Sequence, residues 1–153
     1  IADFVLSKTP GNTVSNLSST RALRDVTKKH NGNYEASAVG EVNVVEKMKE
    51  TNAIIGGEGN GGIIYPELHY GRDALVGIAL FLTQLAEREI SVKQLKHSYP
   101  DYYISKNKIN LTPEINIDNI ISNLEKKYQD EEITTIDGLK IDFKDGWVHI
   151  KSF

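Results

Sequence analysis

The stretch Ala53-Ile54-Ile55-Gly56-Gly57-Glu58-Gly59-Asn60-Gly61-Gly62-Ile63-Ile64-Tyr65 places two short apolar runs around a loop that holds four glycines, one carboxylate and one carboxamide between Gly57 and Gly62. Runs this short and this rich in isoleucine read as strands, the first of them suited to a buried position in a sheet. Glycine tolerates positive φ and lets the main chain approach a ligand closely, so Gly57, Gly59, Gly61 and Gly62 mark a candidate binding loop. On it, Glu58 offers an ionised acceptor and Asn60 both a donor and an acceptor, a set that suits the alternating hydroxyls of a sugar better than a cation. The plain alternative is a glycine-rich hairpin with no ligand, although four glycines exceed what a tight turn needs.

Toward the N-terminus the pattern alternates. Thr13 to Leu17 reads extended, Ser18 to His30 helical, Tyr34 to Val39 extended, and Glu41 to Glu50 helical with Val44, Val45 and Met48 on one face. With Ala53-Ile54-Ile55 this is a βαβαβ order, which predicts a largely parallel sheet. Small or glycine residues follow each strand: Ser18-Ser19-Thr20, then Gly40-Glu41, then the glycine loop. In such folds ligands bind beyond the carboxyl ends of the strands, so these three loops together nominate one cleft. Ser18, Ser19 and Thr20 are also ordinary helix-capping residues, and capping is the preferred reading for them. Ile1 to Leu6 reads as the last turns of an amphipathic helix that begins before the first residue.

Toward the C-terminus, Arg72 to Glu89 is a long helix, apolar nearly all round from Ala74 to Leu82, which predicts burial on more than one side. Arg72 and Asp73 stand at its start, where Asp73 suits a cap or the helix dipole. Ser91 opens a short helix that Tyr99-Pro100-Asp101 ends. Beyond it, Tyr102 to Leu111 reads extended, Asn116 to Tyr128 helical, and Leu139–Phe143 and Trp147–Ile150 form a hairpin around Lys144-Asp145-Gly146. The predicted fold is therefore α/β: a mixed, mainly parallel three-layer α/β/α domain over residues 1–99, followed by a truncated small α+β domain over residues 100–153.

Composition narrows the function classes. The chain has 153 residues, 39% of them hydrophobic and 25% charged, as in ordinary globular domains. A net charge of -3 lacks the basic excess of a nucleic-acid surface. Without cysteine there are neither disulfides nor thiolate metal sites, a composition that fits the cytoplasm. The segment Ala74 to Leu85 is too short to span a bilayer. His30, His69, His97 and His149 show no metal-ligand spacing, so no bound metal is expected. There is no GxSxG elbow and no P-loop, and the Gly57-Glu58-Gly59 string runs into a strand where a dinucleotide fingerprint requires a helix.

Gly56 to Ile64, with Ala38-Val39-Gly40 before Val45-Glu46-Lys47-Met48 and with Tyr70-Gly71-Arg72-Asp73 opening an apolar helix, resembles the α-D-phosphohexomutases over most of the chain. The resemblance implies that Glu58 and Asn60 contact sugar hydroxyls, and that Glu41, the residue after Val39-Gly40, is a further contact. Many relatives carry His two residues after the position of Asn60, where this chain has Gly62.

The resemblance further implies an enzyme that moves a phosphoryl group between the C6 and C1 oxygens of a hexose, through a phosphoserine, Mg²⁺ and a bisphosphorylated sugar. The family's phosphoserine loop and Asp-x-Asp-x-Asp metal loop belong to earlier domains and neither motif occurs here. Its Arg-x-Ser-(Gly or Asn)-Thr-Glu-Pro phosphate loop follows a strand like Trp147-Val148-His149-Ile150, but this sequence stops at Lys151-Ser152-Phe153. The chain is thus expected to be the third domain, missing its start, and part of the fourth. Mg²⁺ is expected in the full-length parent and not on this piece. The expected partners are a hexose phosphate and the missing N-terminal domains, with no nucleic acid and no membrane. The competing class is a non-catalytic module that binds a sugar phosphate as an effector.

Overall fold

The computed structural model describes residues 1–112 and 114–152, so the C-terminal Phe153 of the strand-like tail lies outside the described residues. The chain divides after Ile104 into two units.

The first unit contains, in order, α1 (Ala2–Lys8), β1 (Asn12–Asn16), α2 (Ala22–Lys29), β2 (Tyr34–Ser37), α3 (Glu41–Glu50), β3 (Ala53–Gly57), β4 (Ile63–Tyr65), β5 (His69–Arg72), α4 (Ala74–Arg88) and α5 (Val92–His97). The sheet order is β2-β1-β3-β4-β5. Strand β1 runs parallel to β2 and to β3, whereas β4 and β5 add antiparallel, so the sheet is mixed. The chain steps outward from β1 to β2 and then back across β1 to β3. Right-handed crossovers in opposite directions put α2 and α3 on opposite faces, which makes three layers. Helix α1 packs on α2 and α4 and so shares their face.

Helix α3 shows how pattern becomes packing. Val44 and Met48, four residues apart, are fully buried, and with Val14, Ala53 and Ile64 they form a core on which Val45 packs. Met48 lies directly on β3: a methyl group added at Gly56 would sit 2.4 Å from its sulfur and 2.8 Å from the Val14 carbonyl oxygen. The opposite layer is held differently. Asp3 is 5% exposed. Its Oδ1 accepts hydrogen bonds from Lys29 Nζ at 3.0 Å and His30 Nε2 at 2.8 Å, its Oδ2 from Tyr99 hydroxyl at 2.8 Å, and Arg88 Nη2 lies 3.3 Å from Oδ2. One carboxylate thus ties α1 to the ends of α2 and α4 and to the chain after α5.

Helix α4 departs from its expected burial. Gly77 and Gln84 are buried, Gly77 against Ile63 of β4, but Leu75, Ile78 and Leu82 are 77%, 54% and 57% exposed. The helix meets α1 and β4 along one stripe only, and apolar composition around the whole circumference cannot say which stripe that is. The start of α2 also differs: the helix begins at Ala22, and Thr20 Oγ1 accepts only a long bond, 3.4 Å, from the Ala22 amide. Asp73 and Ser91 cap α4 and α5 as expected, Ser91 within a capping box completed by Gln94.

The second unit holds α6 (Ile117–Lys127), β6 (Glu132–Thr134), β7 (Leu139–Asp142) and β8 (Trp147–Ile150), with the three strands antiparallel in that order. Leu139 and Ile141 are buried among its described residues, and the Phe143 amide closes the hairpin on the Gly146 carbonyl at 2.9 Å. Tyr102 to Leu111, read from the sequence as extended, forms no regular element. Strand β6, after the helix, adds to the predicted hairpin as a third strand that the sequence reading did not include.

Burial pushes the Asp3 carboxyl up, but its bonds from His30, Tyr99 and Lys29 outweigh that and hold it well below the usual carboxylate range. A depressed folded value stabilises the fold above the unfolded carboxylate value, about 3.9, and that stability is lost as pH falls below it. Replacing Asp3 by Ala should cost about 2 kcal/mol at neutral pH, because the half-buried His30 and Arg88 and the Tyr99 hydroxyl lose the acceptor they share, while the exposed Lys29 adds little. Urea titrations followed by far-ultraviolet circular dichroism should show the wild-type advantage over Asp3→Ala shrinking below about pH 4. An advantage independent of pH would exclude this role for Asp3.

Candidate functional site

The carboxyl ends of β1, β2 and β3 open on one edge of the sheet, and the residues singled out in the sequence divide between two kinds of role there. The glycine loop is a hairpin joining β3 to β4, with Gly57 paired to Ile63. The Glu58 amide donates to the Gly62 carbonyl at 3.0 Å and the Gly61 amide to the Glu58 carbonyl at 3.0 Å. Gly61 has φ +96°, a backbone state that excludes most side chains. Gly59 lies against Ser18 and Ser19 of the loop after β1.

Within this turn Asn60 serves the loop itself: it is exposed, and its Oδ1 accepts the Gly62 amide at 3.1 Å. Glu58 turns inward. Its side chain is 8% exposed, Oε1 receives Asn16 Nδ2 at 3.0 Å, and Oε2 lies 3.1 Å from Arg72 Nη1. Each oxygen of a carboxylate has two lone-pair directions, so both retain capacity for a hydroxyl donor.

Arg72 ends β5, whose antiparallel course brings it back opposite Ile64, beside the loop. Its Nε donates to Glu41 Oε2 at 2.7 Å and its backbone amide to Glu41 Oε1 at 3.0 Å. One guanidinium therefore bridges Glu41, at the first turn of α3, and Glu58, on the hairpin. The bonds from the Arg72 backbone amide and then from its side chain lower the Glu41 carboxyl below its ordinary value, and those two carboxylates raise Arg72 in turn. Two carboxylates around one guanidinium leave an excess of one negative charge. Such a cluster has acceptors to spare and fixed directions for them, as polyol recognition needs.

Gly62 makes the bridge sterically possible. A Cβ at that position would lie 2.5 Å from Arg72 Cδ, so the arginine stem crosses the loop through the space a side chain would fill. Neither Asn16 nor Arg72 stood out as a site residue in the sequence. The signal for Asn16 is a polar residue at the carboxyl end of a buried strand. For Arg72 it is a cation ten residues beyond a glycine at which it must pass.

Among the described residues there is no group of three or more His, Cys, Asp or Glu side chains that could hold a metal ion, and no helix long and apolar enough to cross a membrane.

Comparison with known proteins gives a consistent set of similarities. The family model for phosphoglucomutase/phosphomannomutase, alpha/beta/alpha domain III, matches residues 1–103. The chain is 33% identical over 140 residues to the phosphoglucosamine/phosphogalactosamine mutase of Sulfurisphaera tokodaii, covering 90% of this chain and 31% of that protein. It is 31% identical over 155 residues to the phosphoglucomutase/phosphomannomutase of Thermococcus kodakarensis, covering 99% and 34%. The crystal structure of a phosphoglucomutase/phosphomannomutase family protein from Burkholderia thailandensis superposes with a TM-score of 0.72 at 26% identity, over 95% of this chain and 31% of that one. The chain thus spans about a third of the length of these relatives.

Replacing Gly62 by Ala should push Arg72 off Glu58 and Glu41. In nitrogen-edited NMR at acidic to neutral pH, the Arg72 Nε–H resonance should be slowly exchanging in the wild type and lost to solvent exchange in Gly62→Ala. Retention of that signal would mean that the bridge tolerates a side chain there.

Proposed function

The chain belongs to the phosphoglucomutase/phosphomannomutase family, and from that membership we propose that it is the sugar-recognising C-terminal part of a phosphohexomutase. The parent enzyme interconverts a hexose 6-phosphate and a hexose 1-phosphate, the hexose being glucosamine, mannose or glucose, by way of a phosphoserine and a bisphosphorylated sugar. Residues 1–99 act as its third domain and residues 100–153 as part of its fourth. The observation that carries this reading is the Glu58 carboxylate, fixed by Asn16 and Arg72 at the carboxyl edge of the parallel strands. Glu58 and Glu41 accept from sugar hydroxyls, and the backbone of Gly57 to Gly62 supplies close approach on one side.

Phosphoryl transfer depends on positioned charge around the phosphoryl group. The described residues of this chain do not provide a ligand set for Mg²⁺. We assign Mg²⁺ and the phosphoserine to the remainder of the polypeptide, and no step on this chain runs through the metal. The chain alone is accordingly inactive, and its partners are the hexose phosphate and the other domains of its parent, working together in the cytoplasm.

The test supplies glucose 1-phosphate and reads glucose 6-phosphate through its dehydrogenase, once with this chain and once with the full-length polypeptide that carries it. Turnover is expected from the latter only, and turnover by the chain alone would refute the division of labour. In the full-length protein, Glu58→Ala should lower kcat/KM by about tenfold or more, equivalent to about 1.4 kcal/mol of lost hydrogen bonding. Unchanged kinetics would remove Glu58 from the site.

A further inference from the structure

We propose that His69, oriented by Asp73, is the proton-accepting residue beside the Glu41–Arg72–Glu58 cluster; this rests on the phosphohexomutase reading. His69 begins β5 and Asp73 follows its end, and His69 Nε2 lies 2.9 Å from Asp73 Oδ2. The other oxygen of Asp73 accepts the Val76 amide at 3.0 Å and caps α4, so the carboxylate cannot swing away without uncapping the helix. The Val76 amide, and then His69, hold the Asp73 carboxyl below its ordinary value, so it is ionised at neutral pH and can only accept. The hydrogen between the two groups therefore belongs to the imidazole. In the neutral ring this leaves the lone pair on Nδ1.

The position of Nδ1 gives it a use. Residue 71 is glycine, and a Cβ built there would lie 3.1 Å from His69 Nδ1 and 3.7 Å from Glu41 Oε1. The basic nitrogen and a carboxylate oxygen of the cluster thus lie on the same side of Gly71, less than about 7 Å apart, with no side chain between them, so one bound sugar can face both. The His69 side chain is 48% exposed, which leaves it accessible to an incoming substrate. Its charged partner is Asp73, and Glu41 lies across the gap left by Gly71.

The step balances as follows for transfer from a phosphate monoester. The sugar hydroxyl oxygen forms a bond to phosphorus while the bond from phosphorus to the donor's ester oxygen breaks, and that oxygen leaves with the electron pair. The hydroxyl proton passes to Nδ1, and Asp73 neutralises the imidazolium until the reverse transfer returns the proton.

The test uses the full-length polypeptide. His69→Ala should lower kcat by about 10² to 10⁴-fold with little change in KM, and added imidazole should restore part of the rate. His69→Gln should lose the rate equally without rescue, since its side chain fills the space. Asp73→Asn, which retains a cap for α4, should fall between wild type and His69→Ala. An unchanged kcat in His69→Ala, or a loss that imidazole does not relieve, would overturn the proposal. Glu58→Ala measured alongside separates the two readings: if it slows the enzyme while His69→Ala does not, only the proton-transfer role falls. If neither variant matters, the sugar site falls with it.

Discussion

A single guanidinium decides the geometry of this sheet edge. Arg72 reaches Glu41 through its side chain and its own backbone amide, and reaches Glu58 through its far nitrogen. Without it, two carboxylates would stand close together uncompensated at the edge, with repulsion favouring rotamers that turn them apart. The bridge also spans three separately folded pieces: the first turn of α3, the β3–β4 hairpin and the end of β5. Each piece is positioned by its own packing, so the cluster is a place where three independent constraints must agree. Exposed ion pairs contribute little to stability, and the value of this one lies in direction: it fixes where the remaining lone pairs of Glu58 and Glu41 point.

The opposite end of the first unit solves a related problem in another way. Asp3 is buried, and its charge is compensated by donors from α2, α4 and the chain after α5. There every oxygen is saturated by protein groups, and the result is adhesion between helices. At the site the carboxylates are only partly used. Within the same unit, one carboxylate has its acceptor capacity used up by protein donors while the others keep acceptor capacity to spare.

Much of the fold was legible because it rests on local periodicity. The spacing of Val44 and Met48 identified the face of α3, and the alternation of strands and helices implied that β1, β2 and β3 run parallel, though not their order in the sheet. What local pattern omits is the choice among equivalent surfaces and the return path of the chain. The apolar circumference of α4 did not reveal that Leu75, Ile78 and Leu82 face outward. Tyr102 to Leu111 has extended character but no strand to pair with, and extended character without a ladder is not a strand. At the sheet edge, Glu58 was singled out from its loop and Glu41 through the family resemblance, and the structure brings both onto Arg72. Asn16 and Arg72 were not singled out, since their approach depends on strand register and on the antiparallel addition of β5.

That addition has a kinetic side. Strand β5 is the outermost of its sheet and is joined to β4 by few rungs, Ile64 to Arg72 and Tyr65 to His69. His69 and Arg72 belong to it, and Asp73 follows directly. Edge ribbons of this kind open at low free energy compared with central strands. When this one frays, the imidazole, its orienting acid and the bridging cation depart together, so the lifetime of the assembled constellation is the closed lifetime of one short ribbon.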